Sequence, residues 1–254
     1  MNLYLAGLEN HITSPYYEGI KTIVLSNKVY ALSSYFYIKK RAREKYSRLI
    51  PYFKDFMLDS GAFSFMNSGI EVNWNSYIEE YSNYINENKI NKFFELDIDS
   101  IIGYDKVKEY RKRLEKLVNR PCIPVWHRSR ELDEFFRLCD EYSYIAVGGI
   151  AIGHIRRNEY KNFSYLIKEA HKRKCKIHGL GFTNLSLLKK YHFDSVDSSS
   201  WTSGGRFGKV YKFIGNTLVA YYRKENQRLI NYIETDAHNF NEWIKFQRYA
   251  EVHY

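Results

Sequence analysis

Short apolar runs recur along the chain, and each is followed by a turn and then by a charged segment with helical spacing. Their apolar positions are continuous rather than alternating, which is typical of parallel strands covered on both faces. Eight such runs predict strands: Leu3–Ala6, Thr22–Ser26, Phe56–Ser60, Phe93–Asp97, Cys122–Trp126, Tyr144–Gly149, Lys176–Leu180 and Phe193–Asp197.

The stretches between these runs are amphipathic. Candidate helices are Trp74–Asn88, Asp105–Val118, Glu131–Asp140, Asn158–Arg173 and Asn184–Tyr191. Alternating strands and helices predict a parallel sheet, and eight strands predict that the sheet closes into a barrel. The basic stretch Lys39–Arg48 interrupts this alternation between the second and third strands.

The C-terminal part of the chain departs from the alternation. Gly205–Lys224 is interpreted as a loop and a hairpin turning at Gly215-Asn216, and a final helix is expected near Glu234–Glu251. The predicted fold class is therefore α/β, a single (β/α)₈ TIM-type barrel over residues 1–254 with a C-terminal hairpin and helix. A chain of 254 residues suits one such domain.

The composition is unusual in its aromatic content and its charge. With 24 Tyr and 16 Phe, 17% of the residues are aromatic, and the formal net charge is +10. The aromatic excess fits either the bias of an AT-rich genome or rings that stack on exposed bases. The charge suits a polyanionic partner, because each Lys or Arg on a phosphate releases condensed counterions.

Targeting and redox signals point to the cytoplasm. The N-terminus lacks a basic region followed by a long apolar stretch, and no segment is long, apolar and uncharged, so we expect neither a signal peptide nor a membrane partner. Cys122, Cys139 and Cys175 are far apart and form no zinc pattern, which favours reduced, buried thiols. We expect no metal and no cofactor.

Polar or small residues stand where the predicted strands end. These are Asp59-Ser60-Gly61, Asp97-Ile98-Asp99, Trp126-His127, Gly148-Gly149, His178-Gly179 and the stretch from Asp194 through Asp197-Ser198. In a (β/α)₈ barrel all of them converge on the face where such enzymes keep their active sites. A single Asp after a strand is more often a helix N-cap, but several together predict a site.

Paired carboxylates suit the cleavage of a glycosidic bond. One can attack the anomeric carbon while the other donates or accepts the proton of the departing or entering group, provided that their surroundings separate their pKa values. The residues alone do not choose this chemistry over aldol or phosphate chemistry.

Six motifs, in order over roughly residues 56–208, resemble those of the tRNA-guanine transglycosylase superfamily. The similarity is greatest to its archaeal branch and to phage and bacterial DNA 7-deazaguanine transglycosylases. The motifs are Leu58-Asp59-Ser60-Gly61-Ala62-Phe63, Leu96-Asp97-Ile98, Pro124-Val125-Trp126-His127, Val147-Gly148-Gly149-Ile150, His178-Gly179-Leu180-Gly181 and Asp197-Ser198-Ser199-Ser200-Trp201 followed by Gly205-Arg206-Phe207.

The resemblance implies a role for each motif. Asp59 is the expected general acid/base and Asp197 the expected nucleophile, although Asp194 could also be aligned there. The expected base contacts are Asp97, Trp126, His127, Gly148, Gly149 and His178. Trp126 would stack on a flipped base and His127 would hydrogen-bond it, unless Trp126 is a core residue and His127 a satisfied rim histidine.

The chain also departs from the family's pattern. Its CxCxxC…H zinc site is missing, so no structural zinc is predicted, and the appended RNA-binding domains are absent, which weakens a tRNA substrate. Trp126-His127 replaces the base-reading Gln-Gly, so the identity of the base is open. Expected nucleic-acid contacts are Ser60, Arg128, Arg156, Trp201, Arg206 and Lys209, with Lys39–Arg48, Arg130 and Arg157 as further phosphate holders.

Three functions follow as alternatives. The first is a DNA glycosylase that releases a modified base and leaves an abasic site, which would suit defence against phages with modified genomes. The second is a transglycosylase on DNA, or less favourably tRNA, that exchanges guanine for a free 7-deazaguanine base. The third is a nucleic-acid-binding barrel without catalysis, against which the intact Asp59, Asp97 and Asp197 argue.

Overall fold

The strands of the computed structural model form one sheet of parallel strands. The structure describes residues 1–13, 17–40, 43–61, 64–65, 72–222 and 231–254. The strands are β1 Asn2–Ala6, β2 Tyr30–Ser34, β3 Asp55–Asp59, β4 Lys92–Phe93, β5 Val125–Trp126, β6 Tyr144–Val147, β7 Lys176–Gly179 and β8 Ser195–Ser198. Their order is β4-β3-β2-β1-β8-β7-β6-β5, and every pair is parallel.

The two ends of this order meet. Phe94, just after β4, forms a parallel bridge with Ile123, just before β5. The Glu95 amide donates to the Ile123 carbonyl over 3.1 Å, and the Ile123 amide donates to the Phe93 carbonyl over 2.8 Å. The next amide, that of Val125, donates instead to the Glu95 carboxylate over 2.8 Å. The predicted (β/α)₈ barrel is therefore confirmed, with a short seam between β4 and β5.

Helices follow the strands on the outside of the barrel. They are α1 Tyr17–Ser26, α2 Tyr35–Lys40, α3 Arg43–Ser47, α4 Trp74–Glu87, α5 Asp99–Ile102, α6 Tyr104–Val118, α7 Glu131–Glu141, α8 Phe163–Lys172, α9 Leu185–Leu188 and α10 Ser203–Phe207. Asn73 caps α4 by accepting the Ser76 amide over 3.1 Å, and Asn119 ends α6 with a left-handed backbone.

The predicted second strand, Thr22–Ser26, is wrong. These residues belong to α1, which buries Tyr17, Ile20 and Val24 on one face at helical spacing. The true strand is β2, and the basic stretch Lys39–Arg48 supplies the end of α2 and all of α3. Residues 41 and 42 of that stretch lie outside the described residues.

Alternation along each strand divides the core into two layers. Tyr4 and Ala6 of β1 pack in a cluster inside the barrel with Met57, Phe94 and residues of other strands. Leu3 and Leu5 belong to the larger cluster between the strands and the helices. The barrel interior is thus filled with side chains, and the chemistry is confined to its open end.

A hairpin and a long helix complete the chain, as predicted. β9 Lys209–Ile214 and β10 Thr217–Tyr222 are antiparallel and pack against α11 Tyr232–His253. The buried Gln247 amide of α11 donates to the carbonyls of Leu3 and Tyr30 over 2.6 and 2.9 Å, which fixes the helix against β1 and β2. Within the described residues, none of the helices is long and apolar enough to span a bilayer.

Candidate active site

A cavity of about 600 Å³ opens at the carboxyl ends of the strands. Its size lies in the range of small-molecule sites. Carboxylates dominate the titratable part of the lining, which comprises Glu9, Asp59, Asp97, Asp99, Asp197, His127, His154 and Tyr37. Among the described lining residues there is no Lys or Arg. The cavity is therefore acidic in a chain whose net charge is +10.

Asp59, the last residue of β3, is the carboxyl group with the most altered titration. Burial raises the pKa of Asp59 to about 7, and the nearby Asp97, Asp197 and Glu9 carboxylates act in the same direction. The Gly61 amide opposes this shift by donating to Oδ2 over 3.0 Å. Gly61 has φ +84°, and a Cβ there would collide with Phe36, so the turn that aims this amide requires glycine. Asp59 is consequently able to hold a proton near neutral pH.

Asp197, on β8, lines the same cavity and has different hydrogen-bond partners. Its Oδ1 accepts the Gly181 amide over 2.5 Å and lies 3.2 Å from Nε2 of His178, which donates to it when that nitrogen carries the proton. Both donors suit an ionised carboxylate, which accepts hydrogen bonds and donates none. The cavity therefore contains two carboxyl groups in different surroundings, which is the arrangement that acid–base division of labour requires.

The structure also distinguishes the two aspartates near β8. Asp194 precedes the strand and lies at the amino end of the barrel. Its Oδ2 accepts the Ile177 amide over 2.8 Å and faces Nε2 of His171 at 2.9 Å. Only Asp197 of the two lines the cavity.

Asp97 and His127 form an ion pair on the cavity wall. Nε2 of His127 lies 2.7 and 2.8 Å from the two oxygens of Asp97. Burial alone would lower the pKa of His127, but the charge and the hydrogen bond of Asp97 outweigh it, so the pKa of His127 is raised. The imidazolium form is thereby favoured, in which Nδ1 is also a donor.

Arg130 connects this pair to a buried network. Its guanidinium lies 3.3 Å from Asp97, 3.0 Å from Asp99 and 3.3 Å from Glu95, with only 3% of the side chain exposed. The expected role of Arg130 as a phosphate holder is therefore wrong, because its charge is already used inside the protein. Glu95 in turn pairs with buried Arg111 over 2.6 Å.

The charges of this network explain the titration of His127. Three carboxylates, Glu95, Asp97 and Asp99, face two guanidiniums, which leaves one negative charge uncompensated. Protonated His127 supplies the missing positive charge. Removing either member of a buried pair is costly because it leaves the other charge unpaired.

The turn after β5 directs Arg130 inward through a strained backbone. Glu131 has φ 59° and ψ 169°, a region that residues with a Cβ rarely occupy. Its carbonyl accepts the Trp126 indole N–H over 2.8 Å, which fixes the turn from the other side. Strain at this position fits a segment whose geometry serves the site.

Asp97, Asp99 and His127 could also hold a metal ion. One ligand atom from each lies within 4.8 Å of the others. Arg130 already contacts both carboxylates, so a divalent cation would have to compete with the guanidinium for the same oxygens. The expectation that the site needs no metal stays a prediction.

The predicted base contacts divide into two groups. Gly149 and His127 line the cavity, and Gly148 lets the His127 ring approach, since a Cβ at Gly148 would lie 2.6 Å from Cε1 of the ring. His178 and Trp126 do not reach the cavity. His178 is fully buried beneath Asp197, and Trp126 packs edge-to-face on Phe135 outside the sheet. Their expected contacts with a base are therefore corrected.

The predicted nucleic-acid contacts divide similarly. Ser60 and Trp201 are buried, the latter donating to the Ala6 carbonyl over 2.8 Å, so both expectations are wrong for this structure. Arg128, Arg156 and Arg157 are exposed, the first two on the rim beside His154 and Arg128 paired with Glu159. The side chain of Arg206 lies outside the described residues.

Lys209 stands at the start of the hairpin among exposed rings. Its Nζ lies 5.9 Å from the ring centre of Phe207 and 5.3 Å from that of Tyr222. These rings are 63% and 67% exposed, which is unusual for large apolar groups. The three side chains form an aromatic–basic patch that follows β8 and α10.

Sequence reasoning missed several cavity residues. Glu9, Ser34, His154 and Gly181 all line the cavity from loops or strand ends. Glu9 follows β1 by three residues, so the rule that polar residues gather after strands could have found it. Ser34 ends β2 and was missed because the second strand was predicted at Thr22–Ser26. Gly181 belongs to the motif His178-Gly179-Leu180-Gly181 but was given no role in the site.

Comparison with known proteins identifies the architecture. No protein-family model and no curated protein matches the sequence. The fold resembles 3-hexulose-6-phosphate synthase from Salmonella typhimurium, with a TM-score of 0.54, 12% identity and full coverage of both chains. It also resembles the carboxyl transferase domain of Rhizobium etli pyruvate carboxylase, crystallised with pyruvate, with a TM-score of 0.51 and 14% identity over 78% of this chain and 39% of that one. Both are enzymes, and at these identities the likeness shows the barrel fold alone.

Proposed function

We propose that the chain cleaves the N-glycosidic bond of a modified base in DNA and leaves an abasic site. The observation that carries the proposal is the pairing, in one cavity, of Asp59, whose pKa is about 7, with Asp197, whose Oδ1 accepts the Gly181 amide and contacts Nε2 of His178. Most glycoside hydrolases cleave their bond with one protonated and one ionised carboxyl group.

The reaction proceeds in two steps. Oδ2 of Asp197 attacks C1′ of the sugar while the C1′–N bond breaks and its electron pair passes to the base. Asp59 gives its proton to the departing base. Water then attacks C1′ of the sugar ester, its proton passes to Asp59, and Asp197 is released as a carboxylate.

The neighbouring residues hold the base. Protonated His127 donates from Nδ1 toward a carbonyl or ring nitrogen, and Gly149 leaves room for a planar group beside it. Asp97 accepts hydrogen bonds from amino groups of the base through carboxylate lone pairs that His127 and Arg130 do not occupy. The acidic cavity therefore favours bases that present hydrogen-bond donors.

The phosphates stay outside the cavity. Because the described lining contains five carboxylates and no Lys or Arg, a phosphate inside would be repelled. Exposed Arg156 lies at the rim, and the exposed aromatic–basic patch follows β8 and α10. Both can contact the DNA backbone, and the rings can stack on unpaired neighbouring bases. The target nucleotide must leave its stack to enter, which costs a few kcal/mol.

Mass spectrometry of released bases tests the proposal. DNA substrates with several modified bases, and tRNA, are incubated with the protein, with and without free 7-deazaguanine. Free base together with alkali-labile sites, and no need for added base, is the expected result. If base is released only when 7-deazaguanine is present, and the 7-deazaguanine enters the nucleic acid, the protein is a transglycosylase. If no base is released from any substrate, the result favours the non-catalytic barrel.

Matched variants test the roles proposed for Asp59 and Asp197. Asp197→Asn and Asp59→Asn should each lower base release by at least about 10²-fold, whereas Asp194→Asn, at the opposite end of the barrel, should retain it. Full activity of either cavity variant would overturn the mechanism.

A further inference from the structure

A chain of hydrogen bonds crosses the barrel interior and ends on Asp197. The Tyr144 hydroxyl lies 2.5 Å from Oγ of Ser195, Oγ of Ser195 contacts Nδ1 of His178, and Nε2 of His178 lies 3.2 Å from Oδ1 of Asp197. His178 and Ser195 are buried, at 0% and 1% exposure, so these groups are satisfied within the protein.

The donor in each of these hydrogen bonds follows from the charge of Asp197, where the series ends. Oδ1 of an ionised Asp197 accepts from Nε2 of His178 only if that nitrogen carries the proton. In the neutral ring Nδ1 is then an acceptor, and the donor facing it is the Ser195 hydroxyl. The Tyr144 hydroxyl in turn donates to Ser195. Burial raises the pKa of Tyr144, so the phenol keeps the proton that it donates.

The surroundings of His178 hold the ring in place. The Phe94 and Tyr4 rings lie 5.5 and 6.1 Å from it, centre to centre, and leave the imidazole its polar contacts only along the chain. A packed ring with a fixed tautomer presents its Nε2–H to Asp197 without reorganisation when charge changes there.

We propose that Tyr144, Ser195 and His178 form a relay of positioning residues that fixes the Nε2–H tautomer of His178 and thereby orients Asp197 as a charged nucleophile. The tautomer and its dependence on Ser195 concern the protein alone, whereas the effect on catalysis rests on the proposed function of Asp197. None of the three side chains touches the substrate in this scheme.

Imidazole nitrogen NMR of the full chain tests the tautomer directly. In protein labelled with ¹⁵N-histidine, the His178 signals are assigned by their loss in His178→Gln. The expected spectrum shows a protonated Nε2 and a bare Nδ1, and Ser195→Ala should give a mixture of tautomers, whereas Ser195→Thr should restore the single form. A protonated Nδ1 in the unaltered protein, or an unchanged tautomer in Ser195→Ala, would overturn the relay.

Kinetics of base release test its consequence. Ser195→Ala and Tyr144→Phe should lower kcat, the former by about tenfold, with KM within about twofold, because one relayed hydrogen bond is lost while the base contacts remain. Unchanged kcat in Ser195→Ala would refute the orienting role. If the unaltered protein releases no base from any substrate, the proposed function fails, while the NMR spectra still decide the relay.

Discussion

Nε2 of His127 contacts both oxygens of Asp97, at 2.7 and 2.8 Å, and this ion pair forms the cavity wall where the barrel seam ends. The pair joins a residue that follows β4 to one that follows β5. It therefore couples the protonation of the site to the stability of the fold.

Because the pKa of His127 is raised in the folded protein, its contribution to stability is full below its unfolded value of about 6.5 and is lost as the pH rises through the folded value. His127→Gln should therefore lower Tm more at pH 6 than at pH 9. Thermal unfolding at both pH values measures this. An equal loss at the two pH values would show that His127 is neutral in the folded protein.

Ionisation of Asp59 destabilises the folded protein as the pH rises. An acid with a raised pKa favours the folded state while protonated, and that advantage is lost as the pH rises through about 7. The parent loses this advantage between its unfolded value of about 3.9 and about 7, so the Tm of Asp59→Asn, which stays neutral, should rise relative to that of the parent between pH 4 and pH 8.5, by roughly 2–4 °C for each kcal/mol. Calorimetry checks this, with Asp133→Asn on an exposed part of α7 as the control. A pH-independent difference would contradict the raised pKa.

The same pKa predicts the pH dependence of base release. If Asp59 is the general acid, the rate of the chemical step should fall about tenfold per pH unit above about 7. Single-turnover rates between pH 6 and 9 give the profile. A rate that rises through pH 7 would instead assign Asp59 as a base.

Glu131 offers a test of strain near the site. Glycine relieves a backbone at φ 59° and ψ 169°, so Glu131→Gly should raise the free energy of unfolding or leave it unchanged. Asp133→Gly, in the same helix at an ordinary exposed position, should lower it by about 1 kcal/mol. Denaturant titration of both variants compares them. A loss in Glu131→Gly equal to that of the control would mean that the turn is unstrained.

The proposed contact of Arg156 with the DNA backbone can be tested by substitution. Arg156→Ala should weaken DNA binding and reduce the slope of log affinity against log salt by about one, as expected for one lost phosphate contact. Lys172→Ala is the control, because Lys172 ends α8, just before β7 begins at the amino end of the barrel. Fluorescence anisotropy over a salt series measures both, and equal slopes in the two variants would remove Arg156 from the interface.

The fold was largely predictable because the apolar runs mark strands of a closed parallel barrel. Thr22–Ser26 failed because buried Val24 stands between half-buried Ile23 and exposed Leu25, and these three neighbours form a short apolar run that resembles a buried strand. Periodicity in so short a segment does not separate the two structures.

The location of the candidate site could be predicted from the sequence, but several of its individual residues could not. Asp59, Asp97 and Asp197 lie at the mouth, as strand ends require. Trp126 and His178 failed for two geometric reasons. In a continuous apolar run, the sequence does not show which alternate residues point into the barrel. In β5 Val125 points inward, and Trp126 points outward toward the helices. His178 faces inward but lies one level below the mouth, a height set by the stagger of neighbouring strands.

The seam between β4 and β5 has a further consequence for how the protein can change. Backbone pairing there is limited to the bridge at Phe94, and Glu95 supplies a side-chain acceptor for the next amide. The same carboxylate holds Arg130, which holds Asp97. Under the proposed function, substitutions along this wall that change base preference would also change contacts that hold β4 against β5, so that selection for a new substrate would act on the stability of the fold at the same positions.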